Sequence, residues 1–221
     1  MRRFIRNNSL SLVTFGLFLV LWVAQSLTGW VDANHDHQDH GRPTESYARY
    51  LRSGHFVEAT FENWESEFLQ MGFYVLLTVY LRQKGSPESK PLQGKEKVDA
   101  DPRQEPDRRD APWPVRRGGL ALAIYERSLT LAMLTLFLLS FALHAAGGTA
   151  DYNAEQREHG QPTVSVAGYV TTSHFWFQSF QNWQSEFMAV GSLVLLGVFL
   201  RQRGSPESKP VAASHAATGS G

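Results

Sequence analysis

The stretch "SLTLAMLTLFLLSFALHAAGGTA", Ser128–Ala150, decides what kind of protein this is. It holds no charged residue and exceeds the roughly 20 residues needed to cross about 30 Å of hydrocarbon. It is internal, so it is not a leader peptide. A second uncharged run, "NNSLSLVTFGLFLVLWVAQSLTGWV", covers Asn7–Val31 and follows Arg2, Arg3 and Arg6. That arrangement also suggests a secretory signal, but the run is too long for a typical signal core and no clear A-x-A site follows. It reads as an uncleaved signal-anchor. The 221 residues would suit one or two soluble domains, and the two runs overrule that reading. The mildly negative mean hydropathy, −0.28, averages apolar spans with polar connectors.

Two further spans are expected at Phe68–Leu81 and Phe187–Leu200, uncharged runs that end at Arg82/Lys84 and Arg201/Arg203. At 14 residues each they reach span length only by taking in Glu67 and Glu186. Placement of Lys and Arg sets the orientation. Seventeen lie before the first span, in 82–127 or after the fourth span, against Arg42, Arg49, Arg52 and Arg157 on the other side. Both termini and the central linker are therefore expected in the cytoplasm. The formal net charge of zero hides this asymmetry. There is no cysteine, which excludes disulfides, thiolate metal sites and cysteine nucleophiles. The outer loops must be held by other means.

The chain repeats itself at an offset of 119 residues. "HGRPT" at His40–Thr44 matches "HGQPT" at His159–Thr163, and 21 of the 31 positions from Phe61 to Pro91 are identical to their partners. Each copy reads as span, outer loop, aromatic-rich entry, span and cytoplasmic stop. Two spans per copy give both copies the same orientation, a parallel repeat. The expected architecture is an all-α, integral membrane four-helix bundle built from two parallel-repeat helical hairpins. The expected organisation is a first two-span repeat over 1–91, a charged and proline-rich disordered linker over 92–117, a second two-span repeat over 118–210 and a disordered tail over 211–221.

"FENWESEFLQMG" (Phe61–Gly72) and "FQNWQSEFMAVG" (Phe180–Gly191) carry the chemistry that duplicates. On a helix, Val57, Phe61, Trp64 and Phe68 form one stripe, reproduced by Trp176, Phe180, Trp183 and Phe187. Aromatic belts of this kind suit the outer interface. Asn63, Ser66 and Glu67 form a separate polar face, with Gln70 one turn on, and Asn182, Ser185 and Glu186 repeat it. Such a face is expected to turn towards the bundle interior. Glu186 lies 14 residues above Leu200, about 21 Å along a helix, which puts it roughly 9 Å below the outer surface of a 30 Å core. Three roles fit: an interfacial group that snorkels or caps its helix, a polar clamp joining Asn63, Glu67, Asn182 and Glu186, or a carboxylate pair that binds a proton or cation.

His55 and His174 match between the copies and are second candidates, although each is twelve residues from its glutamate. The first outer loop reads "HDHQDHG", and His35, His37 and His40 are a weak metal-ligand pattern. The second copy keeps only His159, so this cannot be the duplicated function. Gln25 and His144 are equivalent and suit interhelical contacts. "LRQKGSPESKP" at Leu81–Pro91 and "LRQRGSPESKP" at Leu200–Pro210 read as helix stops. Nucleophile elbows, phosphate loops, HExxH and Rossmann fingerprints are all missing. No cofactor and no nucleic acid are expected. The bilayer is the expected partner, and a homo-oligomer or protein partner remains open.

The duplicated NWxSEF entry followed by LRQ[KR]GSPESKP resembles a family of small uncharacterised bacterial membrane proteins known only as a domain of unknown function. The resemblance implies a bacterial inner or plasma membrane location and brings no activity with it. Two functional classes compete: a small proton- or cation-coupled transporter or channel-like protein using Glu67 and Glu186, and a non-catalytic membrane scaffold or envelope-stress component that binds a partner. An enzyme is the weaker expectation.

Overall fold

A computed structural model describes residues 2–104 and 110–219. Among the described residues the regular structure is entirely helical. In chain order the helices are α1 (Arg2–Asn7), α2 (Ser9–Asp39), α3 (Tyr47–Tyr50), α4 (Gly54–Tyr80), α5 (Trp113–Arg117), α6 (Gly119–Tyr125), α7 (Ser128–Glu158), α8 (Val166–Tyr169) and α9 (Ser173–Phe199). The 119-residue offset is reproduced element by element: α2, α3 and α4 start and stop 119 residues before α7, α8 and α9. Of these, α2 and α7 are long and apolar enough to cross a membrane, as judged by length and composition. Each has 31 residues, about 46 Å at 1.5 Å per residue.

Helix α2 extends beyond the apolar run and takes in His35 and His37, so the "HDHQD" segment is helical and not loop. His40 is the C-cap residue, and its backbone N–H donates to Asp36 O. The second long helix of each copy, α4 and α9, starts on a hydroxyl cap at an equivalent position. Ser53 Oγ accepts from Phe56 N and Thr172 Oγ1 from Phe175 N, each at 3.2 Å. These bonds satisfy backbone donors that a helix start leaves without partners.

The described residues pack as two compact units, one within 1–61 and 142–175, the other within 62–141 and 176–221. In the first unit two tyrosines from the short helices lie against glycines of the long ones. Tyr50 and Tyr169 are buried. The Tyr50 hydroxyl occupies the space a Gly29 side chain would need, and a β-carbon on Gly148 would sit 2.6 Å from the Tyr169 hydroxyl. Helix α4 meets α7 backbone to backbone: a β-carbon on Gly147 would lie 2.6 Å from Glu58 N, and one on Gly54 would lie 2.7 Å from Gly147 O. Small residues permit such close approach of helices.

The segments that follow α2 and α7 are tied by two asparagines. Asn34 donates through Nδ2 to Glu45 O at 3.1 Å and accepts from Glu45 N at 2.7 Å. Asn153 does the same with Val164, at 2.8 Å for each bond. A carboxamide offers a donor and an acceptor side by side, so each pair ties an extended segment to a helix without a disulfide.

In the second unit, rings of α9 pack on α7. Trp183 lies edge-on to Phe137 with centroids 6.2 Å apart, and Trp176 lies 6.4 Å from Phe141. The stripe expected to form an interface belt thus places two of its members against a neighbouring helix. Where it is described, the expected linker contains a 3-10 turn at Lys97–Asp99 and the helix α5, and Lys90 pairs with Asp99. Residues 105–109 of the expected linker and 220–221 of the expected tail lie outside the described residues. Several bonds join the described part of the tail to its surroundings. Lys209 is buried, and its Nζ donates to the carbonyls of Ser214, His215 and Ala217. Gly85 N donates to Thr218 Oγ1 at 2.8 Å.

Gly147→Leu forces the α4–α7 contact apart and is expected to cost about 1–3 kcal/mol, typical of overpacking. Gly16→Leu, whose β-carbon meets nothing within 4 Å, is the matched control. Thermal unfolding in detergent, followed by circular dichroism, checks this; equal melting temperatures for the two variants contradict the packing account.

Candidate functional site

The polar residues of α4 and α9 within the second unit meet as unlike partners. Asn182 Nδ2 donates to Glu62 Oε1 at 2.7 Å, and Trp183 Nε1 donates to Glu65 Oε1 at 2.9 Å. Glu65 is fully buried, at 0 % exposure. Two successive donors on α9 thus hold two carboxylates that are three residues apart, on neighbouring turns of α4.

The residues expected from the sequence are distributed around this pair. Asn63 and Glu67 are exposed, Ser66 is buried, Asn182 and Glu186 are half-buried, and Ser185 is exposed. Ser66 Oγ donates to Asn63 O and Ser185 Oγ to Asn182 O, bonds within their own helices. Asn182 reaches Glu62, and the charges of Glu67 and Glu186 are near enough to interact. Sequence reasoning missed Glu62 and Glu65. Their equivalents in the second copy are Gln181 and Gln184, so a search for duplicated acids passes over them. The available signal was the spacing alone, two glutamates three apart beside a tryptophan-bearing copy.

In the first unit a cleft of about 960 Å³ is lined by six carboxylates, Asp36, Asp151 and Glu158 among them, and by Arg42, Arg49 and Arg52. Arg42 bridges Asp36 and Glu158. His37, His40, His55 and His159 also line it. His55 and His174 are exposed; His55 Nδ1 is 3.4 Å from the Tyr50 hydroxyl, and the His174 ring lies 5.8 Å from Tyr152. His37 Nδ1 lies 3.1 Å from Pro43 O and His40 Nδ1 2.9 Å from Asp36 O, while His35 is exposed. Among the described residues, His35, His37 and His40 do not gather into a set of three converging ligand atoms. The cleft is a net acidic basin, suited to attract cations.

The two SPESKP motifs fold alike. Gly85 and Gly204 take φ of 86° and 87°, the left-handed conformation that glycine adopts without strain. Ser89 Oγ accepts from Gln83 N and Ser208 Oγ from Gln202 N, each at 2.9 Å. Ser86 and Ser205 accept from Glu88 N and Glu207 N, each at 3.2 Å. The motif's serines therefore close the chain end below each long helix. Its glutamates meet: burial raises the Glu88 carboxyl above its ordinary value of 4.5, and the charge of Glu207 and a hydrogen bond with it raise it further. Tyr74, whose hydroxyl donates to Glu88 Oε2 at 3.3 Å, opposes that rise.

A raised acid binds its proton more tightly in the folded chain, so its contribution to stability is present below pH 4.5 and is lost as pH rises through the folded value. Glu88→Gln is expected to flatten the decline of melting temperature between pH 4.5 and 8 and to give a higher melting temperature than the parent at pH 8. Parallel unfolding scans across that range check it; identical slopes contradict the pairing of Glu88 with Glu207.

Comparison with known proteins identifies the family. The model of DUF6766, a domain of unknown function, matches residues 1–220, and the chain belongs to that family. No curated protein and no solved structure matches it.

Proposed function

We propose that this member of the DUF6766 family is a four-span membrane protein that carries a proton or small monovalent cation, using carboxylates set between α4 and α9. The observation that carries the reading is Glu65, a fully buried carboxylate held by the neutral indole N–H of Trp183. An ionisable group inside a membrane span is costly, and such groups mark ion pathways. Glu62 with Asn182, and Glu67 with Glu186, supply further acidic positions on the same pair of helices. Asn63, Ser66 and Ser185 complete the polar face.

The membrane reading draws on the surface of α2. Leu10, Phe15 and Leu21 are each more than 60 % exposed, and only 6 % of the apolar window of that helix is buried. A core helix of a soluble protein would bury such residues; in water their exposure is a large apolar patch. The 27 residues of α4 and of α9 correspond to about 40 Å of helix, enough to span. The bias of Lys and Arg puts both termini in the cytoplasm and the acidic cleft outside, and the location is the bacterial inner membrane.

The test is reconstitution into liposomes carrying a pH-sensitive dye, under an imposed potential. The parent chain is expected to pass protons or potassium above the rate of empty liposomes. Glu65→Gln, and the double variant Glu67→Gln with Glu186→Gln, are expected to lower that rate at least tenfold. Carbonate extraction of membranes reads insertion separately. A chain that resists extraction yet gives no flux overturns the carrier reading and favours a scaffold; a chain released by carbonate overturns the membrane reading itself.

A further inference from the structure

We infer that the groove between α4 and α9 in the second unit binds a quinone-type molecule, a planar apolar ring bearing carbonyl oxygens. This rests on the membrane reading above and is independent of ion transport. The groove has a volume of about 320 Å³, at the low end of the range for ligand pockets, which suits one ring system and a short tail. Gln70 and Tyr74, one turn apart, line one wall, Phe187, Val190 and Gly191 line the other, and the end away from Gln70 is polar, lined by Arg82 and Glu88.

The inner end of the groove carries an unmet demand. Gln70 is 3 % exposed, and its Nε2 has no hydrogen-bond partner. A buried donor left unpaired is costly, and most are satisfied by protein, water or ligand. What belongs there is an acceptor on an otherwise apolar molecule. A bare acyl chain leaves the donor unmet, and a cation offers it nothing to accept a hydrogen bond.

Depth separates the two main sources of a carbonyl. Gln70 lies 11 residues above Leu81, about 16 Å along the helix and therefore near the middle of a 30 Å core. The ester carbonyls of phospholipids lie at the headgroup boundary and do not reach that level. A quinone ring dissolves in the hydrocarbon and does. Phe187, 39 % exposed, offers a ring face to stack on. Gly191 keeps the groove open: a β-carbon there meets nothing within 4 Å. Glycine otherwise weakens a helix, so its position on this wall accords with a space that a side chain would fill.

The test uses the full chain in lipid nanodiscs with radiolabelled menadione as the probe and empty nanodiscs as the reference. Saturable binding of one menadione per chain is expected. Gln70→Leu is expected to weaken it at least tenfold, and Gly191→Leu, which removes no polar group, to abolish it while helical circular dichroism is retained. Glu65→Gln is expected to leave binding unchanged, so binding without ion flux overturns the carrier reading alone, and flux without binding overturns this one alone. Binding no greater than to empty nanodiscs, or Gln70→Leu binding as tightly as the parent, overturns the assignment. Displacement of menadione by dihexanoylglycerol, a short-chain lipid whose carbonyls are esters, makes the occupant an acyl lipid and likewise overturns the quinone.

Discussion

The backbone contact between α4 and α7 at Gly54 and Gly147 is the constraint on which the first unit depends. Two helices approach this closely only where neither carries a side chain, because a β-carbon on Gly147 would collide with Glu58 N. The contact fixes where the start of α4 lies on α7. From there the buried Tyr169 hydroxyl, which donates to Glu58 Oε1 at 3.0 Å, and the glycine beneath it, Gly148, follow as packing consequences. Small residues let backbones approach closely, and the dispersion attraction between the helices grows with that approach. Leucines alone would slide.

The same economy appears in the segments that follow α2 and α7. Asn34 and Asn153 each spend one carboxamide on both backbone groups of a residue eleven positions on, the work a cysteine pair does in many exported loops. The SPESKP turns use serine hydroxyls in the same way. Polar side chains bonding to backbone, repeated at equivalent positions, are the common device wherever this chain leaves a long helix.

Helix α7 was legible because twenty-three uncharged residues have few alternatives, and the 119-residue repeat was legible because identity does not depend on geometry. Asn63, Ser66 and Glu67 were offered as one face by helical periodicity, although Ser66 is buried and Asn63 and Glu67 are exposed. Glu62 and Glu65 were not legible, since their partners Asn182 and Trp183 stand 120 and 118 residues away and periodicity is blind to contacts at that separation. The bonds at the tail are hidden from the sequence for a related reason: Lys209 gathers backbone carbonyls and Thr218 meets Gly85, 133 residues earlier. Composition does not record such bonds. The histidine segment was misread as loop because apolar periodicity ends at Val31 while the helix runs on to Asp39.

The unequal pairing of α4 with α9 bears on why the two halves are one chain. In a dimer of identical hairpins, two-fold symmetry would place every residue twice, so an acid gained on one helix would face its own copy's donor and its own copy's acid alike. Joining the halves covalently lifts that restriction. One half then keeps Glu62 and Glu65 while the other keeps Gln181 and Gln184, and the donors Asn182 and Trp183 serve acids that have no twin. Tandem fusion is here a licence for asymmetry: a site with distinct acid and amide sides, which two separately encoded identical subunits could not maintain.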